Sequence, residues 1–348
     1  MKMPQVIYGV LLVILLAACK KNGAAAPNNP PAADTPFARG ADISWLTQME
    51  ASGYKFYNAA GSAMDCMQLL KSLGINSIRL RAWVNPAGGW NNNADLVAKA
   101  VRAKGLGLKI LLDLHYSDTW ADPGHQVKPA AWAGDDLAAL NSAVYSYTLS
   151  VLDTLKKNGV VPSWVQIGNE TNDGMLWPDG KASVNMANFA ALVNSGYKAV
   201  KASGDSIKVI VHISNGYDNS LFRWMFDGLK TNGAQWDIIG MSLYPTSTNW
   251  QSYNESCLAN MKDMVSRYNK QVMICEVGMP VSEASACQSF ITDLIAKTKS
   301  LAGGNGLGVF YWEPESYGNW QGYGLGAFDN TGKPTAAMNA FMNLKRTI

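Results

Sequence analysis

Two acidic residues stand where chemistry could be done. Glu170 closes the run Trp164-Val165-Gln166-Ile167-Gly168-Asn169, which reads as a short buried strand ending on an amide. Glu276 closes a second apolar run, Val272-Met273-Ile274-Cys275. The two lie 106 residues apart, so only a fold that brings both strand ends to one face can pair them. Paired carboxylates at strand ends suit acid-assisted, nucleophilic cleavage of a glycosidic bond. Other polar or aromatic residues also fall at the ends of predicted strands: Asp42, Arg79, His115, His212, Tyr244 and Trp312. Taken singly, each has a plainer reading. A histidine such as His115 or His212 is more often a hydrogen-bonded core group than a catalyst. An inward Arg79 can simply neutralise a carboxylate, and Trp312 can be packing. Their gathering on one rim is what points to a site.

The elements that must position these residues alternate strictly. Strands are expected at 37–44, 77–83, 109–115, 164–170, 208–213, 237–243, 272–276 and 306–312. Helices with an apolar stripe of roughly 3.6-residue period are expected at 62–73, 93–104, 135–158, 184–203, 220–230, 253–268, 284–300 and 335–344. Eight strand–helix units imply an α/β protein built as a single (β/α)8 TIM barrel rather than an open sheet. At 77–83 the alternation puts Ile78 and Leu80 on one side and Arg79 and Arg81 on the other. An inward arginine near the C-terminal end of such a strand points at the face where these barrels do chemistry. There is no internal repeat and no second domain in the pattern.

The first 36 residues read differently. Lys2, an apolar run at 6–16 and Leu16-Ala17-Ala18-Cys19 form a positive start, a core too short to span a bilayer and a small-residue cleavage site. Cysteine after Leu-Ala-Ala resembles a bacterial lipoprotein signal, so residues 1–19 are expected to be a signal peptide with a lipidated Cys19. The plainer alternative is an ordinary secretion signal. Residues 20–36, rich in Pro, Ala and Asn, read as a flexible tether, leaving 37–348 as the domain. Export and lipid anchoring to the cell envelope, at the outer membrane or cell surface, follow as expectations.

The chain carries +3, of which the leader and tether account for +2, so the domain is nearly neutral. That argues against a nucleic-acid partner, which would want a basic stripe. Charged residues are 16% while there are 12 Trp, a balance that suits a neutral, hydroxylated ligand. The cysteine spacings resemble no zinc pair. Cys257 and Cys287, near the starts of neighbouring outer helices, are expected to form a disulfide or else to remain thiols with Cys66 and Cys275. No phosphate-binding glycine loop leads into a helix, which disfavours a phosphosugar enzyme.

The residues also carry a resemblance. Gly40-Ala41-Asp42-Ile43-Ser44, Arg79-Leu80-Arg81-Ala82-Trp83-Val84-Asn85-Pro86, Gln166-Ile167-Gly168-Asn169-Glu170 and Tyr311-Trp312-Glu313-Pro314 are similar to glycoside hydrolase family 53. So is the longest and most specific match, Asp113-Leu114-His115-Tyr116-Ser117-Asp118-Thr119-Trp120-Ala121-Asp122-Pro123-Gly124-His125-Gln126. The resemblance covers nearly all of 37–348. It implies a retaining endo-β-1,4-galactanase acting on the galactan side chains of pectin, with Glu170 as acid/base and Glu276 as nucleophile. Retention asks for carboxyls roughly 5 to 5.5 Å apart. Asn169 would bond the sugar 2-hydroxyl, Arg79 and Tyr244 would hold Glu276 ionised, and Trp312, Trp83 and Trp120 would stack on sugar. Asp42 and His115 complete the expected substrate-binding set. Some bacterial members hold a structural calcium between long loops after strands seven and eight. Here 277–283 is short and 313–334 has few clustered carboxylates, so no metal or other cofactor is expected. A monomer acting on polysaccharide is expected. The rival readings are the same machinery aimed at mannan or xylan, and a glycan-binding lipoprotein without catalysis.

Overall fold

Alternation along eight parallel strands decides the architecture. The computed structural model describes Met1 and residues 37–342; the leader, Cys19 and the tether at 20–36 lie outside the described residues. The barrel strands are β1 (Ala38–Asp42), β2 (Ser77–Ala82), β3 (Lys109–Leu114), β4 (Trp164–Ile167), β5 (Lys208–Ile213), β6 (Ile238–Leu243), β7 (Gln271–Val277) and β8 (Gly306–Trp312). Each pairs in parallel with the next, and β1 pairs with β8 to close the ring. Outward residues such as Leu80, Leu112, Val165, Val211, Ile239 and Ile274 pack against the helices in one continuous apolar layer. Both faces of these strands are covered, as all-parallel sheets require.

Inward residues form a second, separate core of Leu111, Trp164, Ile210, Ile238, Met273, Cys275 and Phe310. The Trp164 and Phe310 rings meet edge to face at 6.4 Å inside the barrel. Gly40 makes this possible, because a Cβ there would lie 2.0 Å from the Phe310 ring. The N-terminal half of the barrel is thus a plug of side chains, not a pore.

The outer helices are α2 (Cys66–Ser72), α3 (Asn93–Gly105), α4 (Leu137–Lys157), α5 (Met186–Ser203), α6 (Asn219–Thr231), α7 (Trp250–Tyr268) and α8 (Ala284–Lys299), with a short α1 (Leu46–Ala51) in the loop after β1. Asp65, Asn92, Asp136, Asn185 and Asp218 cap five of them by accepting from first-turn N–H groups.

Three expectations are corrected. The first outer helix starts at Cys66 rather than 62, because Asp65 caps it and Ala63–Met64 pairs antiparallel with Phe56–Tyr57. The last helix is a 3-10 segment, Ala336–Phe341, six residues long with no side-chain cap. The Cys257–Cys287 disulfide is not formed; all four described cysteines are buried thiols. The Cys287 thiol meets the Tyr311 hydroxyl at 3.6 Å, while a Cβ on Gly216 would lie 3.3 Å from the Cys257 sulfur. Each sulfur faces the barrel from its own helix instead of the other.

Candidate active site

Above the apolar plug, the same inward alternation turns polar. β1 presents Asp42, β2 presents Arg79 and then Arg81, β3 Asp113, β4 Gln166, β5 His212 and β6 Ser242, all buried. On β7 simple alternation would send Glu276 outward, since Met273 and Cys275 already face in. A register shift against β6 resolves this: Met241 pairs with Ile274, but Ser242 pairs with Glu276. Such a bulge re-aims one side chain, and here it turns Glu276 into the barrel mouth.

Arg79 is the hub beneath Glu276. Its Nη1 lies 2.7 Å from Asp42 Oδ2, and its Nη2 lies 2.9 Å from both Asp113 Oδ2 and Glu276 Oε1. Nη2 also approaches Asn169 Oδ1 at 2.8 Å and Gln166 Oε1 at 3.1 Å, while Nε has no partner. Burial works against its charge, but Asp113, Glu276 and Asp42 together raise the Arg79 pKa further, so it stays a cation. Burial is likewise outweighed at Asp113, which Arg79 and His115 hold below the usual carboxylate range. The other oxygen of Glu276 accepts from the Tyr244 hydroxyl at 2.9 Å.

Glu170 reaches the same mouth through a strained turn. Gly168 has φ +75° and Glu170 itself φ +42°, a conformation that side chains rarely adopt. The turn is pinned to β5, where Thr171 N donates to His212 O at 2.9 Å. Strain of this kind persists only where the surroundings over-determine it. Burial raises Glu170, opposed by the Ser242 hydroxyl and Arg79. Burial pushes Glu276 up to about 8, with the Glu170 and Asp113 charges adding to the rise and Arg79 and Tyr244 opposing it.

Coupled carboxyls titrate as a pair, so the first proton taken up belongs to the pair and not to one residue by default. Donors decide where it rests. Glu276 faces a guanidinium and a phenol, both of which favour an anion, so the proton belongs on Glu170.

Above this floor the cavity, about 630 Å³, is walled by indoles. Trp45 meets Trp120 at 5.7 Å and Trp312 at 5.1 Å, and Trp83 meets Trp120 at 5.1 Å, all edge to face. Tyr323 packs against Trp312 at 4.6 Å. Behind them Arg81 lies 4.3 Å from the Trp120 ring centre and pairs with Glu313 at 2.6 Å. His115 joins wall to floor: its Nδ1 accepts from Trp83 Nε1 at 3.1 Å and its Nε2 meets Asp113 at 2.9 Å.

The cavity lining thus contains Glu170, Glu276, Asn169, His115, Tyr244, Trp83, Trp120 and Trp312 of the expected set. Asp42 and Arg79 do not line it. They are 0% and 1% exposed, one layer down, where Asp42 pairs with Arg79 and Arg79 pairs with Glu276. Trp45, Tyr323, Asp122 and Gln48 line the cavity without having been singled out. Trp45 and Asp122 stood inside or beside the quoted motifs; for Gln48 and Tyr323, no sequence signal marked them.

Comparison with known proteins agrees with this geometry. Residues 38–341 match the model of Glycosyl hydrolase family 53. The probable arabinogalactan endo-beta-1,4-galactanase A of Neosartorya fischeri is 38% identical over 303 residues, covering 79% of this chain and 83% of that one. A solved structure from work on two fungal beta-1,4-galactanases superposes with a TM-score of 0.81 at 31% identity, covering 88% of this chain and 99% of the other. The family 53 catalytic domain of Ignisphaera aggregans gives a TM-score of 0.79 at 30% identity, covering 88% and 95%. With the match spanning the whole barrel, the chain belongs to glycosyl hydrolase family 53.

Proposed function

We propose that the protein is a retaining endo-hydrolase of β-1,4-galactosidic bonds in galactan, with Glu276 as nucleophile and Glu170 as acid/base. The observation that carries this reading is the unequal treatment of two carboxyls in one cavity. Arg79 and Tyr244 converge on Glu276, and Glu170 has no such pair of donors. In the first step a Glu276 oxygen attacks the anomeric carbon as the bond to the leaving oxygen breaks, and the Glu170 proton moves to that oxygen. In the second, Glu170 takes a proton from water, the water oxygen attacks the same carbon, and Glu276 leaves. Two inversions give net retention.

Asn169 is set for the sugar 2-hydroxyl. Its Oδ1 is engaged by Arg79 and its Nδ2 donates to Ala121 O at 2.8 Å, which fixes the amide at the cavity edge. A contact there that tightens in the transition state lowers the barrier. The indole wall suits galactose, whose axial 4-hydroxyl leaves the opposite ring face carrying only C–H groups.

The leader and Cys19 support an exported protein tethered to the cell envelope by lipid, acting as a monomer on polysaccharide. Cys19→Ala is then expected to release the protein from membranes on fractionation; equal retention of the variant would reject the anchor. Reducing-end release from galactan, mannan and xylan tests the activity. Release from galactan alone is expected. Preference for another glycan would redirect the specificity, and no release from any would favour a binding protein.

A further inference from the structure

The cavity wall is built around a charge that the mechanism above does not use. Arg79 and Arg81 both point inward from β2, but Arg79 meets carboxylates while Arg81 meets rings. The Arg81 guanidinium carbon lies 4.3 Å from the centre of the Trp120 ring, 5.2 Å from that of Trp45 and 5.3 Å from that of Trp83. Its Nη1 pairs with Glu313 Oε1 at 2.6 Å, and the other Glu313 oxygen accepts from the Trp45 N–H at 3.1 Å. The Arg81 Nε and Nη2 are buried and have no hydrogen-bond partner. Buried donors nearly always find an acceptor. Here indole faces stand in for one, since a π cloud attracts both a cation and the N–H groups that carry its charge.

Trp120 is the ring for which this matters most. It lines the cavity and is exposed, whereas Arg81 is buried and lines none of it. The guanidinium therefore lies on the buried side of a ring whose other side is open to a ligand. Trp45, Trp83 and Trp312 meet Trp120 edge to face at 5.7, 5.1 and 5.9 Å, so none of the three lies flat against it.

We propose that Arg81 is a positioning residue for galactan binding: paired with Glu313, its guanidinium backs the Trp120 indole and fixes the plane that the sugar meets. A planar, delocalised head suits an indole face, where a lysine would offer only a point charge. Trp45 follows β1, Trp83 follows β2, Trp120 lies in the loop after β3 and Glu313 follows β8, so one side chain joins four strand ends around the mouth. Arg81 acts through Trp120 and not on the reacting atoms. The proposal rests on this cavity being the galactan site.

A double-mutant cycle tests it. Arg81→Met combined with Glu313→Gln removes the planar head without leaving a lone buried carboxylate. In otherwise wild-type enzyme this pair of substitutions should raise KM on galactan about fivefold and change kcat by less than about twofold. In a Trp120→Ala chain the same pair should change KM by less than about twofold, because the ring that Arg81 backs is gone. Equal rises in both backgrounds, no rise in either, or a loss confined to kcat would overturn the proposal. A role in stability alone would lower the melting temperature and leave KM where it was. Should the double variant not fold, Arg81→Lys keeps Glu313 paired and should show a smaller rise with the same dependence on Trp120. Calorimetric binding of galactotetraose to chains that also carry Glu276→Ala reads the same coupling without turnover. A wild-type enzyme that released no reducing ends from galactan would reject the hydrolase reading, and the binding cycle would still decide the role of Arg81.

Discussion

Two layers of the barrel interior lie two residues apart on the same strands and do opposite work. In the lower layer Leu111, Ile210 and Phe310 close the barrel without a polar atom to satisfy. In the upper layer Asp113, His212 and Trp312 follow them on β3, β5 and β8. There one buried guanidinium faces three carboxylates, its Nε has no partner, and Glu170 holds a strained backbone. Strain of that kind costs about 1–3 kcal/mol per residue. The contrast teaches that stability in this fold comes from below and from the outer layer, while the mouth is held in a state it would not choose.

The sharpest way to break this division is to truncate one residue from each layer. Glu276→Ala should lose at least ~10⁴-fold in turnover on galactan, as removal of a nucleophile does. Its melting temperature should not fall, since a buried negative charge has been removed from a cluster with too many. Phe310→Ala should instead destabilise by about 3–5 kcal/mol, with kcat intact at a temperature where the variant is folded. Calorimetry and turnover together check both, and an exchange of the two outcomes would contradict the division.

The lower layer and the strand ends were legible from sequence because alternation and apolar runs report burial directly. β3 reads as an apolar run turning polar at Asp113, and β8 needs no correction. The bulge on β7 was not legible. Nothing in Val272-Met273-Ile274-Cys275-Glu276 says that two consecutive residues face inward, since that depends on pairing with β6. The depth of Asp42 and Arg79 was hidden for a similar reason: alternation gives the side of a strand but not the height along the barrel axis. The disulfide failed because closeness in the helix ring does not fix which way a side chain points, and the Cys287 thiol turns to Tyr311.

A smaller effect sharpens the contrast between floor and wall. Trp120 is 36% exposed in the cavity and touches no catalytic carboxylate through any hydrogen bond. Trp120→Ala should raise KM on galactan about tenfold, or 1.4 kcal/mol, with kcat nearly unchanged. A fall in kcat at constant KM would place Trp120 in the chemistry. The smallest effect concerns charge at the rim. Burial holds the Glu170 carboxyl above the usual carboxylate range, so kcat/KM on galactan should fall as pH rises through its raised pKa and the acid loses its proton. Asp122 raises Glu170 by its charge, so Asp122→Asn should move this alkaline limb down by a fraction of a pH unit. An upward shift would give the charge effect the wrong sign.

The central claim is that two carboxyls in one cavity have distinct roles, and azide reads those roles as stereochemistry. With an aryl β-galactobioside, Glu170→Ala should still form the glycosyl-enzyme on Glu276 and then stall for want of a base. Azide needs no base, so it should restore turnover and give the β-azide. Glu276→Ala forms no intermediate, and azide entering the vacated side should give the α-azide by a single inversion. NMR of the products distinguishes the two. The account predicts the β-azide from Glu170→Ala and the α-azide from Glu276→Ala; the reverse pairing would contradict it.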